Sequence, residues 1–261
     1  MKRKVLAKRL SHSGQIVLSL VLAAVIWEVM GRFVVVSPLL FVPLSEVIAR
    51  GIELWEAGEL QLHVWISFIE FLGGYSLAAL VGILLGGLLG SSMRLRTLFE
   101  PWVSMLYSTP VIALGPLFIL WLGIGVGSKV AIIFLTSVFP ILINTSIGLV
   151  TTDKTLLEVA RSCGATGLQL FWKVRMPSAI PYVIGGLRLG VARALVGVVV
   201  AELFGARAGI GFMIMNSTQS FDTASLYVGV LILAVAGVTS VGLLKLLEEK
   251  ITPWRMTGED E

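Results

Sequence analysis

The sequence predicts an all-α membrane protein that crosses the bilayer six times. Hydrophobic residues make up 56% of the 261 residues and charged residues only 14%, whereas about a quarter of the residues of a soluble domain are charged. A helix needs about 20 apolar residues to cross the hydrocarbon core. Six runs of this kind form a transmembrane domain over residues 15–247, at about 15–36, 64–90, 103–122, 128–150, 179–204 and 225–247.

The N-terminal end of the chain is basic and precedes the first apolar run. Residues 1–14 contain five Lys and Arg residues, as the start of a secretory signal peptide does. The run from Gln15 to Val36 is too long for a signal peptide, however, and no small-x-small cleavage site follows it. We therefore predict a basic tail joined to a first transmembrane helix that ends at Ser37-Pro38. Residues 37–63 are expected to form an acidic, partly helical external segment.

Small residues recur at every fourth position of the second apolar run. They are Gly74, Ala78, Gly82, Gly86 and Gly90. Residues four positions apart lie on one face of a helix, and small side chains let another helix approach closely in lipid. Five such positions in register exceed what a general tolerance for glycine would produce. The pattern predicts a helix-packing surface.

Prolines interrupt the third and fourth apolar runs. Pro110 and Pro116 lie in the third run and Pro140 in the fourth. A proline inside a helix removes a hydrogen bond, and its ring clashes with a preceding carbonyl group. We therefore expect both helices to be kinked or broken at these positions.

A charged loop, residues 151–177, separates the fourth and fifth apolar runs. Two pairs have the spacing of capping boxes, which mark helix starts: Thr155 with Glu158, and Thr166 with Gln169. Gly164 is placed to end the first helix in a left-handed conformation, and Pro177 is placed to end the second. The loop is therefore predicted to contain two short helices with a bend between them, lying on the membrane surface.

The distribution of Lys and Arg orients the six spans. With the N-terminus inside, one side of the membrane carries Lys2, Arg3, Lys4, Lys8, Arg9, Arg94, Arg96, Lys154, Arg161, Lys173, Arg175, Lys245, Lys250 and Arg255. The other side carries only Arg32, Arg50, Lys129 and Arg207. Because cytoplasmic loops are enriched in Lys and Arg, we predict that the charged loop, both termini and a C-terminal tail at 248–261 are cytoplasmic.

No catalytic or metal-binding pattern accompanies these features. Cys163 is the only cysteine, and His12 and His63 lie far apart without ligand partners at metal spacing. The stretch Gly123–Lys129 has its Ser before the Lys, whereas a phosphate-binding loop requires Ser or Thr after it. We expect no catalytic residue, metal, cofactor or nucleotide site in this chain, and no nucleic-acid partner.

The charged loop resembles the EAA motif of the membrane subunits of binding-protein-dependent ABC importers. That motif is Glu-Ala-Ala, three residues, Gly, nine residues, Ile, one residue, then Leu-Pro. The matching positions here are Glu158, Ala160, Gly164, Val174, Met176 and Pro177. Val159, Val174 and Met176 depart from the motif, each by a small or apolar exchange. The resemblance implies that this loop is the coupling helix, which docks into a cleft on an ATPase subunit.

The resemblance extends over nearly the whole chain from Phe41 onward. Further matching segments include Thr109-Pro110, Trp121-Leu-Gly123, Pro177-Ser-Ala-Ile-Pro181, Gly186-Leu-Arg188, Ala201-Glu202 and Gly209-Ile-Gly211. Together they are similar to the nitrate/sulfonate/taurine-type ABC importer permeases of the bacterial inner membrane. This implies a type I permease fold, a homodimer, an extracytoplasmic solute-binding protein, and partner ATPase subunits that use ATP and Mg.

Two arginines lie inside the fifth apolar run. Arg188 and Arg193 follow Pro177 by 11 and 16 residues, or about 16 and 24 Å along a helix. An arginine in a span costs at least about 2.5 kcal/mol unless it is paired or faces water. We expect Arg193 to contribute positive potential to a translocation path for a small anion. Arg188 and Glu202 are further candidates for this path. Arg188 could equally be a structural tie to a backbone carbonyl or a carboxylate, and Glu202 could close a gate or pair with an external cation.

Two other functions are open from the residues alone. An ion-coupled secondary transporter would need more spans with internal repeats and a membrane-embedded acid. A non-transporting membrane scaffold could use the charged loop for docking without having a solute path. A complex that hydrolyses ATP but moves no solute would favour the scaffold.

Overall fold

The computed structural model describes residues 2–35, 37 and 39–252, with side chains from Gly14 onward, and this part of the chain is helical without strands. The first helices are α1 (Lys2–Val29), a π-helical turn (Met30–Val34), α2 (Leu44–Glu56), α3 (Glu59–Ser91) and α4 (Met93–Ser108). A 3-10 turn (Val111–Leu114), α5 (Gly115–Leu122) and α6 (Val126–Val150) follow. The remainder comprises α7 (Lys154–Ser162), α8 (Gly167–Leu170), a π-helical turn (Phe171–Arg175), α9 (Met176–Leu203), α10 (Ile210–Gln219) and α11 (Thr223–Ile251).

The predicted all-α membrane fold is confirmed. Five helical segments are long and apolar enough to cross a bilayer, at Gly14–Val34, Glu59–Ser91, Val126–Val150, Gly167–Leu203 and Thr223–Ile251. A sixth is present if Met93–Ser108 and Val111–Leu122, bent by 78°, are taken as one span. The basic residues from Lys2 onward belong to the same helix as the first span. Residues 253–261 of the predicted C-terminal tail, including Trp254 and Arg255, lie outside the described residues.

The third span is broken at a proline, as predicted. α4 ends at Ser108, Thr109 is extended, and Pro110 precedes the 3-10 turn. The residue before a proline is driven out of the helical region, which explains why the break falls here. Pro116 lies in the first turn of α5, where a proline costs no hydrogen bond.

The helix was expected to be kinked or broken at Pro140, and the break does not occur. α6 runs without interruption from Val126 to Val150 with Pro140 inside it. Pro140 and its neighbours Phe139 and Ile141 are all buried. Packing by neighbouring helices can hold a membrane helix together across a proline, and the burial of this segment accounts for its continuity.

The contacts within the chain define two compact units. One contains residues 1–62 and 213–231, and the other contains residues 63–212 and 232–261. They are called unit 1 and unit 2 below. The charged loop, both arginines of the fifth span and the small-residue ridge all belong to unit 2.

In unit 2, α6 packs directly against the small-residue ridge of α3. An added Cβ atom at Gly82 would lie 2.9 Å from the side chain of Ile141, and one at Gly86 would lie 2.5 Å from the carbonyl oxygen of Leu142. Ala78 is fully buried in the same contact. The two backbones therefore approach so closely that larger side chains would not fit between them.

A second row of small residues, on α9, packs against another face of α6. An added Cβ at Gly190 would lie 2.8 Å from Ile141, and one at Gly197 would lie 2.5 Å from the hydroxyl of Thr136. Ala194 is fully buried between them along α9. This row was not predicted from the sequence, because Gly190, Ala194 and Gly197 are spaced by four and three residues, less regularly than the ridge on α3.

In unit 1, α2 is fixed to the end of α1 and to the start of α11. The Glu28 carboxylate accepts hydrogen bonds from the backbone N–H and the hydroxyl of Ser45, and Arg50 forms an ion pair with Asp222 at 3.1 Å. Burial disfavours the charge on Asp222, but hydrogen bonds from Ser225 and the positive charge of Arg50 outweigh it. The pKa of Asp222 therefore lies below its usual value.

The close approach of α3 and α6 can be tested with two adjacent glycines. We expect Gly86→Ala to destabilise the purified protein in detergent by about 1–3 kcal/mol, the usual cost of overpacking, and to lower its thermal midpoint. Gly87→Ala is the matched control, because an added Cβ at Gly87 has nothing within 4 Å. Equal stability of the two variants would contradict the packing described here.

Candidate functional site

The first helix of the charged loop begins differently from the prediction. Asp153 precedes α7, and its carboxylate accepts a hydrogen bond of 2.7 Å from the backbone N–H of Thr155. The predicted capping box of Thr155 and Glu158 is therefore wrong. Asp caps helices at least as well as Thr, and its position starts the helix before Thr155. Glu158 is left exposed, and its carboxylate accepts no hydrogen bond within the part of the chain that the structure describes.

The bend after α7 forms at Gly164, as predicted. Gly164 has a φ angle of +78°, in the left-handed region that other residues occupy only at a cost. Its N–H donates to the carbonyl oxygen of Arg161 at 2.9 Å, and the N–H of Ala165 donates to that of Ala160 at 3.0 Å. These two bonds form a Schellman motif, which fixes the direction in which the chain leaves α7.

The second helix of the loop starts as predicted but does not end at Pro177. The capping box of Thr166 and Gln169 is present. From Gly167 the chain stays helical to Leu203, so the predicted end at Pro177 is wrong. In a regular α-helix the ring of Pro177 would clash with the carbonyl of Lys173. The π-helical turn Phe171–Arg175 widens the helix just before the proline and allows it to continue.

The loop carries large apolar side chains that no described residue covers. Leu156, Val159, Leu168 and Trp172 are all exposed, as is Cys163. Ala160, Val174, Met176 and Pro177 are half-buried. The motif positions thus divide between the exposed face, which carries Glu158 and Gly164, and the side on which the loop rests.

Arg193 lies beside a cavity of about 360 Å³ within unit 2. The cavity is bounded by the broken third span, by α6 and by α9, and its lining includes the polar side chains of Tyr107, Ser108, Thr109 and Thr136. Arg193 is the one charged residue among the cavity's lining residues. The break of the third span forms one wall of the cavity, because Thr109 and Pro110 are among its lining residues.

Arg188 does not line this cavity. Its guanidinium group forms an ion pair with the carboxylate of Glu248 on α11, and its Nε atom is buried without a hydrogen bond. Arg188 was expected either to line the path or to be a structural tie. The structure places it as a tie to a carboxylate. Glu248 was not predicted as its partner, because Arg188 and Glu248 are 60 positions apart on separate helices and meet only through tertiary packing.

Glu202 is also placed away from the cavity, with only 1% of its surface exposed. Its carboxylate accepts hydrogen bonds from the hydroxyl of Ser67 and from the backbone N–H groups of Gly211 and Phe212. An added Cβ at Gly209 would overlap this carboxylate. Glu202 therefore fastens the chain after α9 onto α3, and the glycines of Gly209-Ile-Gly211 provide the room for it.

A buried ion pair joins α3 to α6 beside Glu202. The ammonium group of Lys129 lies 2.7 Å from the carboxylate of Glu70, and both side chains are buried. The sequence analysis placed Lys129 among the external cations and gave Glu70 no partner. A lysine just inside an apolar run and a glutamate within another form the signal that could have identified the pair.

The described residues contain no group of three or more His, Cys, Asp or Glu side chains that could hold a metal ion. His63 accepts a hydrogen bond from the backbone N–H of Gly209 at 3.0 Å. Unit 2 thus contains a cavity lined by apolar residues, several hydroxyl groups and one cation. It also contains an exposed apolar loop, and the continuous helix that begins at Gly167 joins the two.

Comparison with known proteins places these features in a family. Residues 78–253 match the model of the binding-protein-dependent transport system inner membrane component. A Bacillus subtilis (strain 168) protein provisionally named an aliphatic sulfonates transport permease is 38% identical over 234 residues, covering 90% of this chain and 85% of the relative. A formylaminopyrimidine transport permease from Halalkalibacterium halodurans is 34% identical over 232 residues, covering 88% and 92%. The solved MetNI methionine ABC transporter matches with a TM-score of 0.63 at 18% identity, covering 76% of this chain and 96% of the other, which shows the same fold.

Replacing Lys129 tests whether the buried pair with Glu70 stabilises unit 2. Lys129→Met leaves a buried carboxylate without its cation, so we expect a loss of about 3–5 kcal/mol in the free energy of unfolding. Adding Glu70→Leu to the same variant should recover most of that loss. The measurement is a double-mutant cycle on the detergent-solubilised protein. Additive losses in the two single variants would show that the ion pair is not energetically coupled.

Proposed function

This chain belongs to the family of binding-protein-dependent transport system inner membrane components, and we propose that it forms the path of a small anion through an ABC importer. It is the membrane permease subunit of such an importer. The position of Arg193 in the cavity of unit 2 is the observation that supports an anionic solute. A cationic side chain facing a cavity strengthens the binding of an anion through charge-assisted hydrogen bonds.

The solute class follows from the relatives and from the cavity together. One relative is named for aliphatic sulfonates and another for a formylaminopyrimidine. A sulfonate carries a full negative charge, which a single arginine with nearby hydroxyl groups matches. The cavity of about 360 Å³ lies in the size range of small-molecule sites. The solute we propose is a small sulfonate, with taurine as one example, or another small anion such as nitrate.

We propose that the charged loop couples this path to a separate ATPase. The exposed apolar side chains of Leu156, Val159, Leu168 and Trp172 form a surface suited to a cleft on another protein. Glu158, which does not cap its own helix, is available to contact that partner directly. ATP and Mg would be bound and used by the ATPase subunits, since this sequence contains no nucleotide-binding motif of its own.

We propose the remaining partners from the family, and the orientation in the membrane from the distribution of Lys and Arg. A second copy of the permease would complete the path, and an extracytoplasmic solute-binding protein would deliver the solute. The excess of Lys and Arg on the side of the charged loop supports a cytoplasmic position for that loop and both termini. The protein would then sit in the bacterial inner membrane with its loop facing the ATPase.

The alternative functions are less well supported by the site. A secondary transporter needs an acidic group in the membrane that can exchange ions, whereas Glu70 and Glu202 are engaged by Lys129 and by Ser67 with two backbone N–H groups. A scaffold would not need a cavity with an arginine. An assembled complex that hydrolyses ATP without moving any small anion would favour the scaffold.

Gly164→Ala tests the coupling role of the loop. A non-glycine residue in the left-handed conformation costs about 1–2 kcal/mol, so the two halves of the loop would lose their fixed orientation. We expect ATPase association and solute uptake to fall by roughly five- to thirtyfold, and Gly164→Asp, which adds a charge, to be more severe.

Gly167→Ala is the control for that loss. An added Cβ has nothing within 4 Å at either glycine, and only Gly164 has a positive φ. The control should bind the ATPase and transport normally. Native transport by Gly164→Ala at a normal membrane level would refute the coupling assignment.

Arg193→Gln tests the solute path. Loss of a charge-assisted hydrogen bond of about 1.5–3 kcal/mol should lower uptake of an anionic solute by roughly tenfold or more. The assay is uptake of a sulfonate by proteoliposomes that contain the assembled complex. Arg193→Lys keeps the charge and should retain part of the uptake, and ATPase association should be unchanged in both. Unchanged uptake in Arg193→Gln, or a cationic solute found on the solute-binding protein, would overturn the proposal.

A further inference from the structure

Helix α2 carries an apolar strip that no described residue of unit 1 covers. The side chains of Ile48, Ile52 and Trp55 are 54%, 54% and 57% exposed. They lie at positions i, i+4 and i+7, so they share one side of the helix. Val47 and Leu54 lie on the neighbouring side and are buried. The exposed strip is therefore distinct from the surface by which α2 packs within unit 1.

The third side of α2 is acidic. Successive residues turn by about 100° around a helix, which places Glu46, Glu53 and Glu56 beyond the strip and away from the buried side. All three are exposed. Around its circumference α2 therefore presents a buried side, an apolar exposed side and an acidic exposed side, in that order. A helix with both an apolar and a charged exposed side is typical of one that lies in a membrane interface.

Contacts within unit 1 fix how α2 is rotated about its axis. Arg50 forms an ion pair with Asp222 and a hydrogen bond with Ser225 at 2.9 Å. An added Cβ at Gly51 would lie 3.6 Å from the side chain of Val228, which is ordinary contact. Because these contacts hold the buried side in place, the apolar strip and the acidic side point in fixed directions.

Contacts at the start of α2 fix its depth. Ser45 is held by Glu28, and Pro43 lies against Gly31, where an added Cβ would be 2.6 Å from the Pro43 nitrogen. Glu28 and Gly31 belong to the last turns of the span that ends at Val34. At the other end of α2, only two residues precede the next span. Both ends of α2 are thus tied to the ends of spans, where the bilayer surface lies.

We propose that α2 lies in the plane of the membrane surface, with Ile48, Ile52 and Trp55 inserted at the boundary between lipid headgroups and acyl chains. The first span also ends in exposed apolar side chains, Phe33 and Val34, as expected of a segment that reaches the lipid boundary. Tryptophan is enriched at this depth in membrane proteins. The acidic side then faces water.

This arrangement gives α2 a function in positioning. α2 packs on residues 222–228 through Arg50 and Gly51, so a helix resting on the lipid surface would set the height of the turn between α10 and α11. The proposal depends on the membrane location of the chain and not on the identity of the solute. The quantity to measure is contact of α2 with lipid, and a transport assay would not report it.

The proposal can be tested by measuring lipid and water access at adjacent positions. The full-length variants Ile52→Cys and Glu53→Cys, each combined with Cys163→Ser, would carry a nitroxide label in bilayer nanodiscs of phosphatidylethanolamine and phosphatidylglycerol. Electron paramagnetic resonance then compares collisions with oxygen, which concentrates in lipid, and with a water-soluble nickel chelate. We expect the label at Ile52 to favour oxygen and the label at Glu53 to favour the nickel chelate.

Two outcomes would overturn the proposal. Equal nickel access at both positions would mean that the strip faces water, and protection of Ile52 from both reagents would mean that protein covers it, as in a second copy or a docked partner. A second measurement needs no label. The fluorescence of Trp55 is the difference between the unaltered protein and Trp55→Phe, and brominated lipids should quench that difference. Absence of that quenching would also refute lipid contact.

Discussion

The close approach of helix backbones around α6 is the constraint on which the rest of unit 2 depends. Lipid is as apolar as the side chains that helices bury, so helices gain little from burial and associate through tight packing. α6 meets the ridge of α3 on one side and the small residues of α9 on another, with Ile141 contacting Gly82 and Gly190 alike. Helices packed this closely leave little freedom to move, and the cavity lies beside them at the break of the third span.

The lipid environment also determines how charged side chains inside the membrane are arranged. An unpaired charge in lipid is costly, and within the described spans of unit 2 Lys129 is paired with Glu70 and Arg188 with Glu248. Glu202 is satisfied by a hydroxyl and two backbone N–H groups. Arg193 differs from these residues because it faces a cavity whose lining includes several hydroxyl groups. The contrast separates the charges that hold helices together from the one that we propose meets a solute.

The sequence predicted the features that depend on local spacing. The ridge from Gly74 to Gly90, the break at Pro110 and the bend at Gly164 each arise from residues close together in the chain, and the structure places each where spacing indicates. The Glu70–Lys129 and Arg188–Glu248 pairs were not predicted, because partners 59 or 60 positions apart meet only through tertiary packing. The helix end expected at Pro177 was wrong because a π-helical turn accommodates the proline.

Because the helix does not end at Pro177, the charged loop is connected rigidly to the proposed solute path. The chain is helical from Gly167 to Leu203, so the second half of the charged loop and Arg193 belong to one helix. From Gly167 to Arg193 the rise is about 39 Å, which links the loop surface to the cavity without an intervening joint except the π-helical turn. A displacement of the loop by an ATPase would therefore be passed along this helix to the arginine. Because the small residues of α9 press against α6, such a movement would slide or tilt two closely packed helices past each other.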